Sequence, residues 1–281
     1  MKISDFKYIF DKLLLINKVK RLNIEDAGVD NEGTPFIKLK NGPIFYGLKS
    51  KPKQKKYYNF LNKRYKSRLP FEAYTVAEDI VIRYIEGGLK YGGPKKEMYY
   101  KIKPGDNVAE MGSYMGYYTI YLSERIGKDG KIIAIEPMPD NLKILKKNII
   151  ENNLQNVIIV PKGVWKERDE MIFHRKKGDY QSGSVQLNYN NNDTLKIPVD
   201  TLDNILKEQK VKQINFMLIQ LNGVEPEALE GLQNYKPEHV AVAARYSKDK
   251  TSAPALIVKY LQERKYKTKI VHEKYVFAEL N

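Results

Sequence analysis

Asn107 to Pro137 reads NVAEMGSYMGYYTIYLSERIGKDGKIIAIEP. A short apolar run, NVAEMG, gives a strand. GYYTIYLSERIG has helical spacing, and KIIAIEP is a second strand. Strand, glycine-bearing turn, helix and strand in one short segment make a βαβ unit with parallel strands. In such sheets ligands bind beyond the carboxyl ends of the strands, near the switch point. The turn Glu110–Thr119 (EMGSYMGYYT) is therefore the first candidate site. A dinucleotide loop, G-x-G-x-x-G, would need glycine where Glu110 and Met115 stand, so the turn is not built for a pyrophosphate. Glu110 itself opposes phosphate and suits a cationic or amine-bearing ligand. Glu136, closing the second strand, can accept hydrogen bonds from both hydroxyls of a ribose. Together these residues call for a nucleoside with a positive amino-acid tail and no phosphates, and S-adenosylmethionine has these features. The plainer reading makes Gly112 and Gly116 packing glycines and Glu136 a solvated strand end. The pattern acid–x–Gly–x–x–x–Gly, followed one helix later by IEP, favours the cofactor.

The same rhythm runs outward from this unit. PDNLKILKKNIIENNL is a helix, NVIIVPKGVW a strand, VDTLDNILKEQ a helix, INFMLIQL a strand, VEPEALEGL a helix, HVAVAARY a strand and APALIVKYLQERK a helix. TKIVHEKYVFAEL closes the chain with one or two strands. The alternation predicts an α/β fold, a mostly parallel sheet with helices on both faces. Residues 101–281 form this body. Residues 1–100 read as an N-terminal α+β region that binds substrate, covers the active site or forms a dimer contact. In it, a helix runs from Asp5 to about Arg21, PFIKLKNGPIFYGL is a hairpin turning at Asn41-Gly42, and a helix spans about Glu72 to Glu86, ended by paired glycines.

Composition narrows the chemistry. With no cysteine, disulfides, thiolate nucleophiles and cysteine zinc sites are excluded. His174, His239 and His272 are scattered, so no metal site is expected. No apolar run reaches the roughly 20 residues of a membrane span, and YIFDKLLLINKVK is too interrupted by charge for a signal peptide. A soluble, cytoplasmic protein is expected. The net charge is +15, and Lys49–Arg68 carries nine Lys or Arg without one acid. Tyr57, Tyr58, Phe60 and Tyr65 are interleaved there. Such a segment grips RNA through phosphates and stacked bases, attracts a small anionic substrate, or is a solvated basic helix.

Residues from about Lys103 to Leu232 resemble the FkbM-type S-adenosylmethionine-dependent methyltransferases. The resemblance rests on PGDNVAEMGSYMGYYTIYLSERIG, KIIAIEPMPDNLKILKKNIIENNLQNVIIVPKGVW, VDTLDNIL and INFMLIQLNGVEPEALEGL. It implies a Rossmann-like class I methyltransferase fold with seven strands. It implies that Gly112, Ser113, Tyr114 and Gly116 wrap the methionine part, with Glu110 near its ammonium. Glu136 would hold the ribose, Pro137 and Met138 would border the adenine, and Gly163 and Val164 would lie on the adenine's other side.

The fourth strand departs from the family pattern, which resembles lysine–x–acid–x–acid–glycine–x–acid. Here the chain reads Leu218-Ile219-Gln220-Leu221-Asn222-Gly223-Val224-Glu225. Glycine and the last acid remain, and two acids have become amides. An amide keeps shape and hydrogen bonding but takes no proton, so general-base catalysis through Gln220 or Asn222 is lost. Gln220, Asn222 and Glu225 are the candidate catalytic residues. Glu225 also suits a helix first turn for structural reasons alone. The leading reading is O-methylation of a hydroxyl on an anionic small molecule, a nucleotide or sugar. The competing readings are an RNA-modifying methyltransferase and a cofactor-binding protein without the family's catalytic acids.

Overall fold

The computed structural model describes residues 3–40, 42–66, 69–86, 94–176, 192–244 and 253–281. The N-terminal region holds α1 (Ile3–Val19), β1 (Ile24–Val29), β2 (Pro35–Leu39), β3 (Ile44–Tyr46), α2 (Lys55–Tyr65) and α3 (Tyr74–Asp79). The body holds β4 (Asn107–Met111), α4 (Tyr117–Ile126), β5 (Lys131–Ile135), α5 (Pro139–Glu151), β6 (Val157–Val160), β7 (Gly163–Val164), β8 (Asp169–Lys176), β9 (Asn192–Asp200), α6 (Leu202–Glu208), β10 (Phe216–Ile219), α7 (Glu225–Glu230), β11 (His239–Ala243), α8 (Ala253–Glu263), β12 (Tyr266–Val271) and β13 (Tyr275–Leu280).

Seven strands form the central sheet in the order β12-β13-β11-β10-β4-β5-β6. β4, β5, β6, β10 and β11 run parallel, and β13 is antiparallel to both of its neighbours. This is the class I, Rossmann-like arrangement. The first strand of the body, β4, sits in the middle, with β5 on one side and β10 on the other, so the switch point lies at its carboxyl end. Side chains alternate across the sheet. Val108 packs beside Tyr118 and Leu122 of α4, while Ala109 and Met111 face a core with Leu202, Ile205 and Leu229.

The N-terminal region is pinned to α5 by asparagines. Asn148, fully buried, donates to the carbonyls of Tyr46 (3.0 Å) and Met115 (2.7 Å) and accepts from the Tyr46 N–H (2.7 Å). One turn on, Asn152 accepts from Ile44 N–H (2.9 Å) and donates to Ile44 O (2.7 Å). The two side chains take the place of a neighbouring strand along β3. Phe45 stacks on Tyr117 of α4, ring centroids 5.4 Å apart, and the Tyr117 hydroxyl donates to Tyr46 O. Residues of both regions therefore share one core with Met115 of the glycine turn.

Some local expectations are revised. β1 joins the β2–β3 hairpin as a third strand, although IEDAGV has little apolar alternation. Of the expected turn pair, Asn41 lies outside the described residues. The single helix expected over Glu72–Glu86 is three pieces: a 3₁₀ turn at Phe71–Ala73, α3, and a π-helical turn at Ile80–Ile85. The glycines expected to end it lie outside the described residues. NVIIVPKGVW divides into β6 and β7, which belong to different sheets. His174 is on a strand, β8, of a β7-β9-β8 sheet inserted before α6. No helix among the described residues is long and apolar enough to cross a membrane.

Candidate functional site

Three strand ends meet at the switch point: β4, β5 and β10. After β4 the chain must turn under β5, and Gly112 and Ser113 both donate N–H bonds to Ile135 O, at 2.9 and 3.1 Å. Gly112 is left-handed (φ +83°), and a Cβ there would stand 2.3 Å from the Gln220 carbonyl oxygen. The turn therefore approaches β10 as closely as only glycine permits. Tyr114 also has positive φ, +56°. An aromatic residue adopts this conformation only when its surroundings hold it there. Here the Tyr114 N–H donates to Glu136 Oε2 at 2.9 Å. Gly116, at φ +82°, starts α4 against Leu145.

Glu136 is 4% exposed. Its Oε1 accepts from the Met138 N–H (2.9 Å) and Asn141 Nδ2 (3.2 Å), and its Oε2 from Tyr114. Burial pushes its carboxyl up to about 7, against those bonds and the charge of Arg83. Glu110, also buried, lies beneath α4, where Thr119 Oγ1 donates to its Oε2 at 2.6 Å. Burial raises it to about 8, opposed by bonds from Thr119 and Ser113 and by the Arg83 charge. Two buried carboxylates held high by desolvation favour a ligand that brings positive charge with it. Asn141 opens α5 behind Pro139 and Asp140, a first turn suited to a helix start.

The β10 end is built differently. Gln220 and Asn222 are half-buried at the mouth, and Asn222 has φ +58°. Glu225 is wholly buried, and its carboxylate folds back to accept from the N–H groups of Leu221 and Gly223, both at 2.9 Å. Burial lifts its pKa to about 7. It braces the Gln220–Gly223 turn from below. Of the three residues expected to be catalytic, two stand at the mouth and the third lies beneath it.

The remaining expected residues divide in the same way. Ser113 and Met138 are buried, and Pro137 is half-buried beside Glu136. Gly163 and Val164 are buried in β7, with Val164 in the core that also holds Leu202 and Leu229. Asp200 ion-pairs with Lys162 (3.1 Å) and Arg168 (2.8 Å), and Thr201 caps α6. Residues missed from sequence are Thr119, Asn141 and above all Arg83. Arg83 comes from the N-terminal region, and its guanidinium carbon sits 4.2 Å from the centre of the Tyr114 ring. Its (i, i+4) partner is Asp79, but such a pair in EDIVIR carries no site signature.

The family model for the methyltransferase FkbM domain matches residues 107–268. The chain belongs to the FkbM methyltransferase family. The matched span contains all three strand ends of this FkbM domain. An arsenite methyltransferase of Halobacterium salinarum is 29% identical over 90 residues, 32% of this chain and 22% of that protein. A protein-L-isoaspartate O-methyltransferase 1 of Archaeoglobus fulgidus is 29% identical over 59 residues, covering 21% and 27%. The chain thus spans about a quarter of the length of these curated relatives. The crystal structure of an FkbM methyltransferase from Methylobacillus flagellatus aligns at TM-score 0.46 and 15% identity, over 66% of this chain and 48% of that one.

The family implies S-adenosylmethionine, and the residues present fit it. Glu136 is fixed by backbone N–H groups with its carboxylate at the β5 end, where a ribose diol is expected. Gly112 lets the turn come up against the Gln220 carbonyl, as no residue with a Cβ could. The buried acids suit a cationic ligand.

Proposed function

We propose that the protein is an S-adenosylmethionine-dependent methyltransferase acting on a hydroxyl of an anionic small molecule, a nucleotide or phosphorylated sugar. The observation that carries the reading is the pairing of a carboxylate-bearing cofactor end, Glu136 over the Gly112–Gly116 turn, with an amide-bearing acceptor end, Gln220 and Asn222. When bound, the cofactor supplies an electrophilic methyl group. Gln220 and Asn222 each offer both a donor and an acceptor, enough to orient a polyhydroxylated acceptor. Neither takes a proton at neutral pH, and Glu225 is committed to its own turn. Acceleration at this turn then rests on alignment, which contributes up to about 7–11 kcal/mol in the best-oriented reactions.

The anionic character of the acceptor is supported by charge. A cleft of about 480 Å³ opens between the N-terminal sheet and the start of α5, and in its lining Lys49, Lys51 and Lys143 outnumber Glu32 and Asp140 by one charge. It begins four residues beyond Glu136. The basic segment supports RNA less well, because Tyr57 and Tyr58 pack against the N-terminal core while Phe60 is exposed.

The test is transfer of a labelled methyl group from S-adenosylmethionine to nucleotides, phosphorylated sugars, their uncharged counterparts and RNA. Label on a hydroxyl of the phosphorylated small molecules is expected. Label confined to RNA, with a steep salt dependence, would move the function to the RNA-modifying reading. Cofactor binding without transfer to any acceptor would favour the non-catalytic one.

A further inference from the structure

Asp79 and Arg83 lie outside the span matched by the FkbM domain. They lie in the N-terminal region, on successive turns, where α3 gives way to the π-helical turn Ile80–Ile85. The Glu86 N–H bonds to Val81 O at 3.0 Å, the i→i+5 spacing of a π-turn. Such turns are rare and recur at functional sites. Asp79 is 9% exposed; its Oδ1 accepts from Arg83 Nε at 3.3 Å, while its Oδ2, also buried, accepts no hydrogen bond. A buried carboxylate oxygen left without a donor is costly and calls for a partner. Arg83 covers the ring of Tyr114, the midpoint of the glycine turn, and its charge reaches Glu110, Glu136 and Tyr117. Asp79 also acts on Tyr117, the first residue of α4.

An anionic and a cationic group paired with each other, the cation lying over the ring of the strained residue of a cofactor turn, match one ligand chemistry: the zwitterion of an α-amino acid. We propose that Asp79 and Arg83 form the clamp for the amino-acid end of the cofactor, Arg83 binding its carboxylate and Asp79, in place of Glu110, its ammonium through Oδ2. This rests on the cofactor reading above. The N-terminal region is then part of the cofactor site, and the pairing of β3 with Asn148 and Asn152 holds the clamp against the turn.

The test compares two ligands that share adenosine and differ in the tail. S-adenosylhomocysteine has the amino-acid zwitterion, and 5′-methylthioadenosine lacks it. Calorimetry on the full chain should show that Arg83→Gln weakens S-adenosylhomocysteine at least tenfold and leaves methylthioadenosine within twofold. Asp79→Asn should do the same, and Arg83→Lys should recover part of the loss. Because Arg83→Gln leaves Asp79 buried without its cation, the double variant Asp79→Asn/Arg83→Gln, which removes both charges, is measured beside it and should show the same selective loss. Equal loss of both ligands in the double variant, or no loss of either, overturns the clamp. A wild-type protein that binds neither ligand overturns the cofactor reading and the clamp with it, whereas wild-type binding with an indifferent double variant overturns the clamp alone.

Discussion

The two ends of this site use acidic residues in opposite ways. At β4 and β5, Glu110 and Glu136 are buried acids that face the glycine turn and are held by Thr119, Tyr114, Met138 and Asn141. At β10, the acid Glu225 turns away from the mouth to brace backbone, and amides occupy the positions in front of it. Buried acids thus stand beside the glycine turn and uncharged amides at the mouth, the division that the proposed cofactor and acceptor ends require. The two ends touch where Gly112 lies against the Gln220 carbonyl.

That contact gives the largest expected effect. Gly112→Ala adds a Cβ to a left-handed residue and drives it into Gln220 O. It should cost about 2–4 kcal/mol from strain and overpacking, read as a lower denaturation midpoint, and should abolish cofactor binding. A variant of unchanged stability that still binds would show that the ends are independent.

Glu225→Ala should separate them. It removes the acceptor for two N–H groups of the Gln220–Gly223 turn, for a loss of about 1–3 kcal/mol. Methyl transfer should fall much more than cofactor affinity. A parallel loss of cofactor affinity would mean that β10 belongs to the cofactor end.

The acids also set a pH dependence. Glu110, Glu136 and Glu225 have folded values of about 8, 7 and 7, above the ordinary 4.5. The folded protein therefore holds more protons than the unfolded chain between these limits. Their stabilising contribution is full below about 4.5 and is lost as pH rises through 7–8. The melting temperature without ligand should fall from pH 5 to pH 8, and Glu110→Gln should flatten the upper part of that fall. A melting temperature that rises over this range would contradict the burial of these groups.

The smallest effect is expected at the mouth. Gln220→Glu should leave cofactor affinity within about twofold while changing acceptor turnover. A large change in cofactor binding would place Gln220 at the other end.

Sequence carried the sheet and the position of Glu136 because both are written locally. Apolar runs such as KIIAI and FMLI are strands whatever surrounds them, and Glu136 is marked by its place at a strand end one helix after a glycine turn. The role of Glu225 was not legible, since an acid in a helix first turn looks the same whether it answers the helix dipole or folds back onto two N–H groups. Nor was the N-terminal attachment. Asn148 reaches Tyr46 across 102 positions, and nothing in NIIEN distinguishes a strand mimic from a polar helix face. The π-turn under Arg83 is a shift of backbone hydrogen bonds, which no residue type announces. The β8–β9 ribbon was missed because its alternation is weak, with Ile172 facing solvent.

The β4–β5 end is proposed to hold S-adenosylmethionine through Glu136. The direct measurement is calorimetric titration of the wild-type chain and Glu136→Ala with S-adenosylmethionine, with folding of both checked by circular dichroism. Micromolar binding to the wild type and a loss of at least a hundredfold in the folded variant are expected. No binding to the wild type, or equal binding to both, would contradict it.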